Sequence, residues 1–236
     1  MNIIITGASR GIGKELVKLF AENVSNKIFI ISRNEAKLNE LHEYCKKEYK
    51  NSQIHSIAFD ITETSKIKTL VDDLLSENET IDILINNAGF LVAKPFDQIT
   101  LADAETIYKV NVLGPLELIK KLIPGLKKAE HAHVVNISSM GGFQGSVKFP
   151  GLAAYSSSKA AIASLTECLA EEYKESNIKF NCLALGAVAT EMLAEAFPGY
   201  EAPTTAKQMA EFIYDFALNG HKMFNGKILP VSKTTP

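Results

Sequence analysis

Short runs of apolar and β-branched residues recur along the chain at 2–6, 27–32, 53–59, 81–86, 133–138, 179–183 and 227–231. Each is nearly continuous in apolar character rather than alternating, the pattern of strands covered on both faces in a parallel sheet. Between them the apolar spacing becomes helical, over 12–23, 35–49, 64–77, 101–128, 153–176 and 206–218. In the first of these helices Leu16, Leu19 and Phe20 share one face. Pro115 and Pro124 lie within the fourth, where a bend or a break is expected. The stretch 194–205 (AEAFPGYEAPTT) has no clear period and reads as a surface flap.

Strict alternation of seven strands with helices predicts βαβ units and an α/β fold, a doubly wound parallel seven-stranded sheet flanked by helices. No linker, repeat or low-complexity segment divides the chain, so a single domain over 1–236 is expected, with a short substrate flap around 190–205. Composition narrows the function. Twenty-five Lys and Arg against 27 Asp and Glu leave a formal net charge of −2. With neither sign accumulating anywhere, a nucleic-acid partner is excluded. Cys45, Cys168 and Cys182 are odd in number and far apart, as in a reducing compartment. No apolar run approaches the roughly 20 residues of a membrane span, and the start of the chain turns polar too soon for a signal peptide. A cytoplasmic location without a membrane partner is expected.

The first strand runs into Thr6-Gly7-Ala8-Ser9-Arg10-Gly11-Ile12-Gly13 and then a helix. Glycines tolerate positive φ and admit backbone amides close to a pyrophosphate, which would sit at the positive end of the helix. The spacing is G-x-x-x-G-x-G, not the G-x-G-x-x-G of the general dinucleotide fingerprint. The loop predicts cofactor contacts from Gly7, Ser9, Arg10, Gly11, Ile12 and Gly13.

Further motifs follow in order. Asn86-Asn87-Ala88-Gly89 closes the fourth strand, Asn111 stands in a helix, Asn136-Ile137-Ser138-Ser139 closes the fifth strand, and Tyr155 and Lys159 form Y-x-x-x-K. Over residues 6–190 the chain resembles the short-chain dehydrogenase/reductase family, with its Rossmann fold. The resemblance implies a catalytic set of Asn111, Ser139, Tyr155 and Lys159, with Asn111 shaping a water path for proton resupply and Lys159 also holding the nicotinamide ribose. It further implies cofactor contacts from Asp60 and Ile61 near the adenine, from Asn87, Ala88 and Gly89, and from Gly186, Val188 and Thr190. Homodimers or homotetramers, assembled through the helices after strands 4 and 5, are the family's habit.

The choice of cofactor turns on the end of the second strand. An NAD site usually has an acid about 20 residues past the glycines to accept from the ribose 2′-OH; here Ser32 occupies that place and Arg33 follows. Arg33 can clamp a 2′-phosphate through its planar fork, with Arg10 reaching from the other side. NADPH is therefore preferred over NADH. Tyr155 and Lys159, four residues apart on a helix, share a face, and an ammonium beside a phenol is expected to lower its pKa toward the range of general acid–base work. In carbonyl reduction Tyr155 would protonate the oxygen that Ser139 holds. The alternatives are a catalytically silent NADP(H) sensor on the same fold, or an enoyl reductase or dehydratase.

Two departures from the family's pattern stand out. The separation of Ser139 from Tyr155 is longer, with the additional residues within 145–150, so this segment is expected to form a pocket wall with Phe143 and Phe149 as contacts. Leu185-Gly186 replaces a Pro-Gly turn. His131 and His133 would face one side of a strand, but no third ligand accompanies them and no metal site is expected. The candidate pocket residues Phe143, Phe149, Met192, Phe197 and Tyr200 point to a neutral, apolar carbonyl substrate.

Overall fold

The computed structural model describes residues 1–233; the last three residues of the expected 1–236 domain lie outside it. Strands β1 (Asn2–Thr6), β2 (Lys27–Ser32), β3 (Gln53–Ala58), β4 (Ile83–Asn86), β5 (Ala132–Ser139), β6 (Ile178–Leu185) and β9 (Ile228–Val231) form one sheet in the order β3-β2-β1-β4-β5-β6-β9. Every pairing is parallel, with Ile3 opposite Ile28 and Ile83, and Asn86 opposite Asn136. Two short strands outside the sheet, β7 (Val188–Ala189) and β8 (Thr204–Thr205), pair with each other.

The apolar runs follow from burial on both sides. Ile3 and Ile5 pack with Leu16 and Phe20 of α1 (Gly11–Ala21), Leu38 of α2 (Glu35–Glu48) and Ile213 of α8 (Ala206–Asn219). Ile4 faces the other way, with Leu70 of α3 (Ile67–Glu77), Leu118 and Leu122 of α5 (Gly114–Lys128) and Ala170 of α6 (Ala153–Glu172). A strand lined by helices on both faces has no polar side to show, which is why the period-2 signal is missing. The architecture is the doubly wound Rossmann fold.

The expected helix over 101–128 is two helices, α4 (Leu101–Tyr108) and α5, joined by a π-helical turn over Lys109–Leu113. Pro115 lies in the first turn of α5, where its missing N–H costs nothing. Pro124 does not interrupt α5, contrary to expectation: Leu118, Ile119, Leu122 and Leu126 are all buried against the sheet and hold the helix through the lost bond. The stretch taken as flap is more regular than its composition implies. It opens with α7 (Glu191–Ala196) and closes with β8, whose Thr204 pairs with Val188. Two-residue strands are too short to leave a period.

Candidate active site

The strand order reverses between β1 and β4, and open α/β sheets bind ligands at the carboxyl ends of their strands at such a point. A cleft of about 640 Å³ lies there. Gly7 has φ +67°, and a Cβ on it would stand 2.7 Å from the Ala88 Cα, so the turn after β1 can close on the turn after β4 only as glycine. Asn87 ties the two turns together, its Nδ2 donating to the carbonyls of Thr6 (3.1 Å) and Gly7 (3.2 Å). The Ala88 amide donates to Thr6 Oγ1 at 3.0 Å. Helix α1 then starts at Gly11 with no side-chain cap and no acid in its first turn, leaving its amides for an anion. The cradle fits a pyrophosphate. Gly13 is not among the residues lining the cleft: a Cβ there would meet the Gly7 carbonyl oxygen at 2.3 Å, so this glycine packs α1 onto the turn.

At the adenosine end, Ser32 closes β2 and its hydroxyl pairs with that of Ser9 at 2.8 Å. Arg33 Nη1 lies 3.7 Å from Asp60 Oδ2, and Asp60 Oδ1 accepts from the Thr62 amide and hydroxyl. Ile61 lines the same end. Arg10 also lines the cleft and is paired across it, its Nη1 2.6 Å from Glu195 Oε1 in α7. Lys37, which the sequence reading missed, lines the cleft with Arg33. It sits one helical turn beyond Asn34, whose side chain caps α2 by accepting from the Lys37 amide at 2.9 Å. That capping pattern was the available signal.

Ser139, Tyr155 and Lys159 converge at the other end, with Gly89, Gly186 and Val188, while Thr190 lines the cleft against Gly11. Helix α6 carries Tyr155 and Lys159 one turn apart, and the Lys159 Nζ lies 5.8 Å from the centre of the Tyr155 ring. Lys159 is only 4% exposed, and its Nζ donates to the Ile137 carbonyl at 2.8 Å. Ser138 and Ser139 divide their work. Both line the cleft; Ser138 is buried and its hydroxyl donates to the Lys159 carbonyl (2.7 Å), whereas the less buried Ser139 accepts from the Gly141 amide (3.2 Å).

Electrostatics here correct one expectation. Burial pushes the Tyr155 phenol up to about 12, and the neighbouring Ser139 hydroxyl offsets this only in part. The phenol is raised, not lowered, because desolvation by burial outweighs the hydrogen bond with Ser139. Burial likewise brings Lys159 down to about 8.

Asn111 is not on the cleft wall. It is buried in the π turn, where its Oδ1 accepts from the Phe90 amide (2.8 Å) and its Nδ2 donates to the Phe90 carbonyl (2.9 Å) and Ser158 Oγ (2.9 Å). Its amide joins the segment after β4 to α6, one residue layer behind Gly89 of the cleft. Phe143 is also absent from the wall, while Phe149, Met192, Phe197 and Tyr200 belong to it. Leu185 ends β6 opposite Val231, and the Gly186 amide donates to the Val231 carbonyl at 2.9 Å, so the sheet holds the turn without a proline. His133 is a satisfied core residue, with Nδ1 at 2.9 Å from the Ala217 carbonyl and Nε2 at 3.0 Å from Asn181 Nδ2. No metal-binding cluster occurs among the described residues.

The chain is similar to known proteins in sequence and fold. Dehydrogenase/reductase SDR family member 7B of Xenopus laevis is 31% identical over 201 residues, covering 84% of this chain and 61% of that protein. The chain thus spans about three fifths of that relative's length. An uncharacterized oxidoreductase of Staphylococcus saprophyticus is 31% identical over 192 residues, covering 80% of this chain and 75% of its own. Among solved structures, ElxO with NADP bound superposes with a TM-score of 0.85 at 26% identity, covering 98% of this chain and 96% of that one. The 3-ketoacyl-(acyl-carrier-protein) reductase of Brucella melitensis complexed with NADH gives the same TM-score, identity and coverage. The family model for short chain dehydrogenases matches residues 1–201, and the chain belongs to that family.

Proposed function

We propose that the protein is an NADPH-preferring oxidoreductase that interconverts a carbonyl and an alcohol, with Tyr155 as the acid–base group. The observation that carries this reading is the convergence of Ser139, Tyr155 and Lys159 on a cleft whose other end is an uncapped helix start built on glycine turns. A nicotinamide cofactor, when bound, supplies or accepts the hydride. The chain's own residues do the rest. The Tyr155 hydroxyl, protonated at neutral pH as an ordinary phenol is, gives its proton to the carbonyl oxygen as the hydride reaches the carbon. The products are an alcohol and a phenolate. The Ser139 hydroxyl donates to the same oxygen and orients it. Lys159, close to the phenol and short of solvent, stabilises the phenolate as it forms. Asn111 acts at one remove, holding the segment after β4 against α6.

The preference for NADPH is supported by Ser32 in the acid's place and by Arg33 and Lys37 on the cleft at that end. In the cell the protein works in the cytoplasm, a reading that three unpaired cysteines support. It assembles as a homo-oligomer through α4, α5 and α6, where Leu101 and Leu113 are exposed. Its partners are small carbonyl or alcohol molecules rather than nucleic acid or membrane. The test is NADPH consumption with a panel of ketones, aldehydes, diketones and quinones. Turnover of at least one is expected, whereas tight NADPH binding without turnover of any would favour the sensor.

A further inference from the structure

The cleft's charges are unevenly distributed. Among its described lining residues, Arg10, Arg33, Lys37 and Asp60 lie at the glycine turn and the ends of β2 and β3. Glu191 belongs with them, because its Oε2 would stand 3.6 Å from a Cβ on Gly11. Lys159 is the one remaining charged group, and it is buried and bonded to a carbonyl. Besides Ser139 and Tyr155, the lining includes the apolar Met140, Phe149, Leu152, Met192 and Phe197, with Tyr200, and the uncharged Ser138, Thr190 and Ser232.

Two of these side chains are held ready for a partner. Phe149 is 50% exposed and Tyr200 55% exposed, large rings that line the cleft and are left about half uncovered by the described residues. Phe149 stands on the lengthened connection between β5 and α6, which is braced from within. The Gly151 carbonyl accepts from the Lys94 amide (3.1 Å), the Leu152 amide donates to the Phe149 carbonyl (3.3 Å), and Ser146 Oγ donates to the Phe143 and Met140 carbonyls. Lys148, the only cation of this connection, folds back onto the Phe143 carbonyl (2.6 Å) and Ser146 Oγ (2.9 Å), away from the cleft. The additional residues therefore bring a ring to the wall and keep their charge off it.

We infer that the cleft takes an uncharged carbonyl compound carrying an aromatic or bulky apolar group, with Phe149 and Tyr200 as the residues that select it. This rests on the oxidoreductase reading above and adds the substrate's class. An anionic group would find no free cation at this end, and its desolvation would go uncompensated. A flat apolar group would cover two rings that are otherwise wet.

The test pairs methyl phenylglyoxylate with phenylglyoxylate, which differ in charge but share the phenyl ketone, and adds butane-2,3-dione as a small neutral control. With NADPH, kcat/KM for the ester is expected to exceed that for the acid by at least about tenfold. Phe149→Ala and Tyr200→Ala should each lower kcat/KM for the ester severalfold, mainly through KM. The loss should be larger for the ester than for the dione, which presents no ring to cover. Calorimetric titration of the ester into protein loaded with NADP⁺ reads the pocket without the chemistry. Ester binding that Phe149→Ala weakens supports the inference even if nothing is reduced, and that result would count against the oxidoreductase reading alone. Reduction of the dione while the ester neither binds nor reacts overturns the inference and leaves the oxidoreductase reading standing. A tenfold preference for the acid also overturns it.

Discussion

The guanidinium of Arg10, at the foot of α1, lies 2.6 Å from the carboxylate of Glu195 in α7, 185 residues further along the chain. Both groups are exposed, and an ion pair of that kind contributes at most about 1 kcal/mol. A cofactor 2′-phosphate can therefore displace Glu195 from Arg10. Glu195→Gln removes the competitor, and the KM for NADPH is expected to fall by up to roughly fivefold, the equivalent of about 1 kcal/mol, with NADH unaffected. Steady-state kinetics with both cofactors checks this. A rise in the NADPH KM would show that Arg10 serves the α7 segment rather than the phosphate.

Arg33 and Lys37 are the cations that share the adenosine end of the cleft. Replacing either by Ala should raise the KM for NADPH and spare that for NADH. Loss of a charge-assisted contact costs roughly 1.5–3 kcal/mol, one to two decades in affinity. Part of the NADPH affinity should also fall with added salt. Equal losses for both cofactors would assign these side chains to the fold.

Tyr155→Phe removes the proton and keeps the ring. Turnover should fall at least about a hundredfold, the lower end of general acid–base contributions. The dissociation constant for NADPH, measured by calorimetry, should hardly change, because the ribose contact is assigned to Lys159. Near-native turnover would remove Tyr155 from the mechanism.

His133 governs acid sensitivity. Burial lowers its pKa to about 4, against an ordinary value near 6.5. Below about 6.5 the unfolded chain takes up a proton that the folded chain refuses. The stability this residue confers is therefore complete above that pH and is lost as pH falls toward 4. The full shift corresponds to roughly 3 kcal/mol. His221 is lowered by burial and by its neighbours His131 and Lys222, so it acts with the same sign. Urea unfolding at pH 7.5, 5.5 and 4.5 should show a progressive loss, and a flat profile would refute it.

Much of the molecule was written in local chemistry. Continuous apolar runs such as Ile3-Ile4-Ile5 can be satisfied only where both strand faces are covered, so the layered α/β fold could be read from the chain. Gly7 sits at positive φ against Ala88, and a turn of that kind has to be announced by its residue type. Tyr155 and Lys159 were legible because four residues make one helical turn. Other features depended on contacts that no spacing records. Gly13 looks like Gly7 in the sequence, yet it lies within α1 without positive φ and faces the Gly7 carbonyl. Asn111 is a site residue by motif, yet the π turn directs its amide to Phe90 and Ser158. Pro124 breaks a helix by local rule and does not here, because the buried face of α5 outweighs one lost hydrogen bond. The Tyr155 pKa rises where a neighbouring ammonium alone would lower it, since desolvation depends on everything packed around the ring. Local conformation and periodicity belong to the sequence. Which way a side chain faces, what it gives its protons to and how far it stands from water were decided only when distant segments packed together.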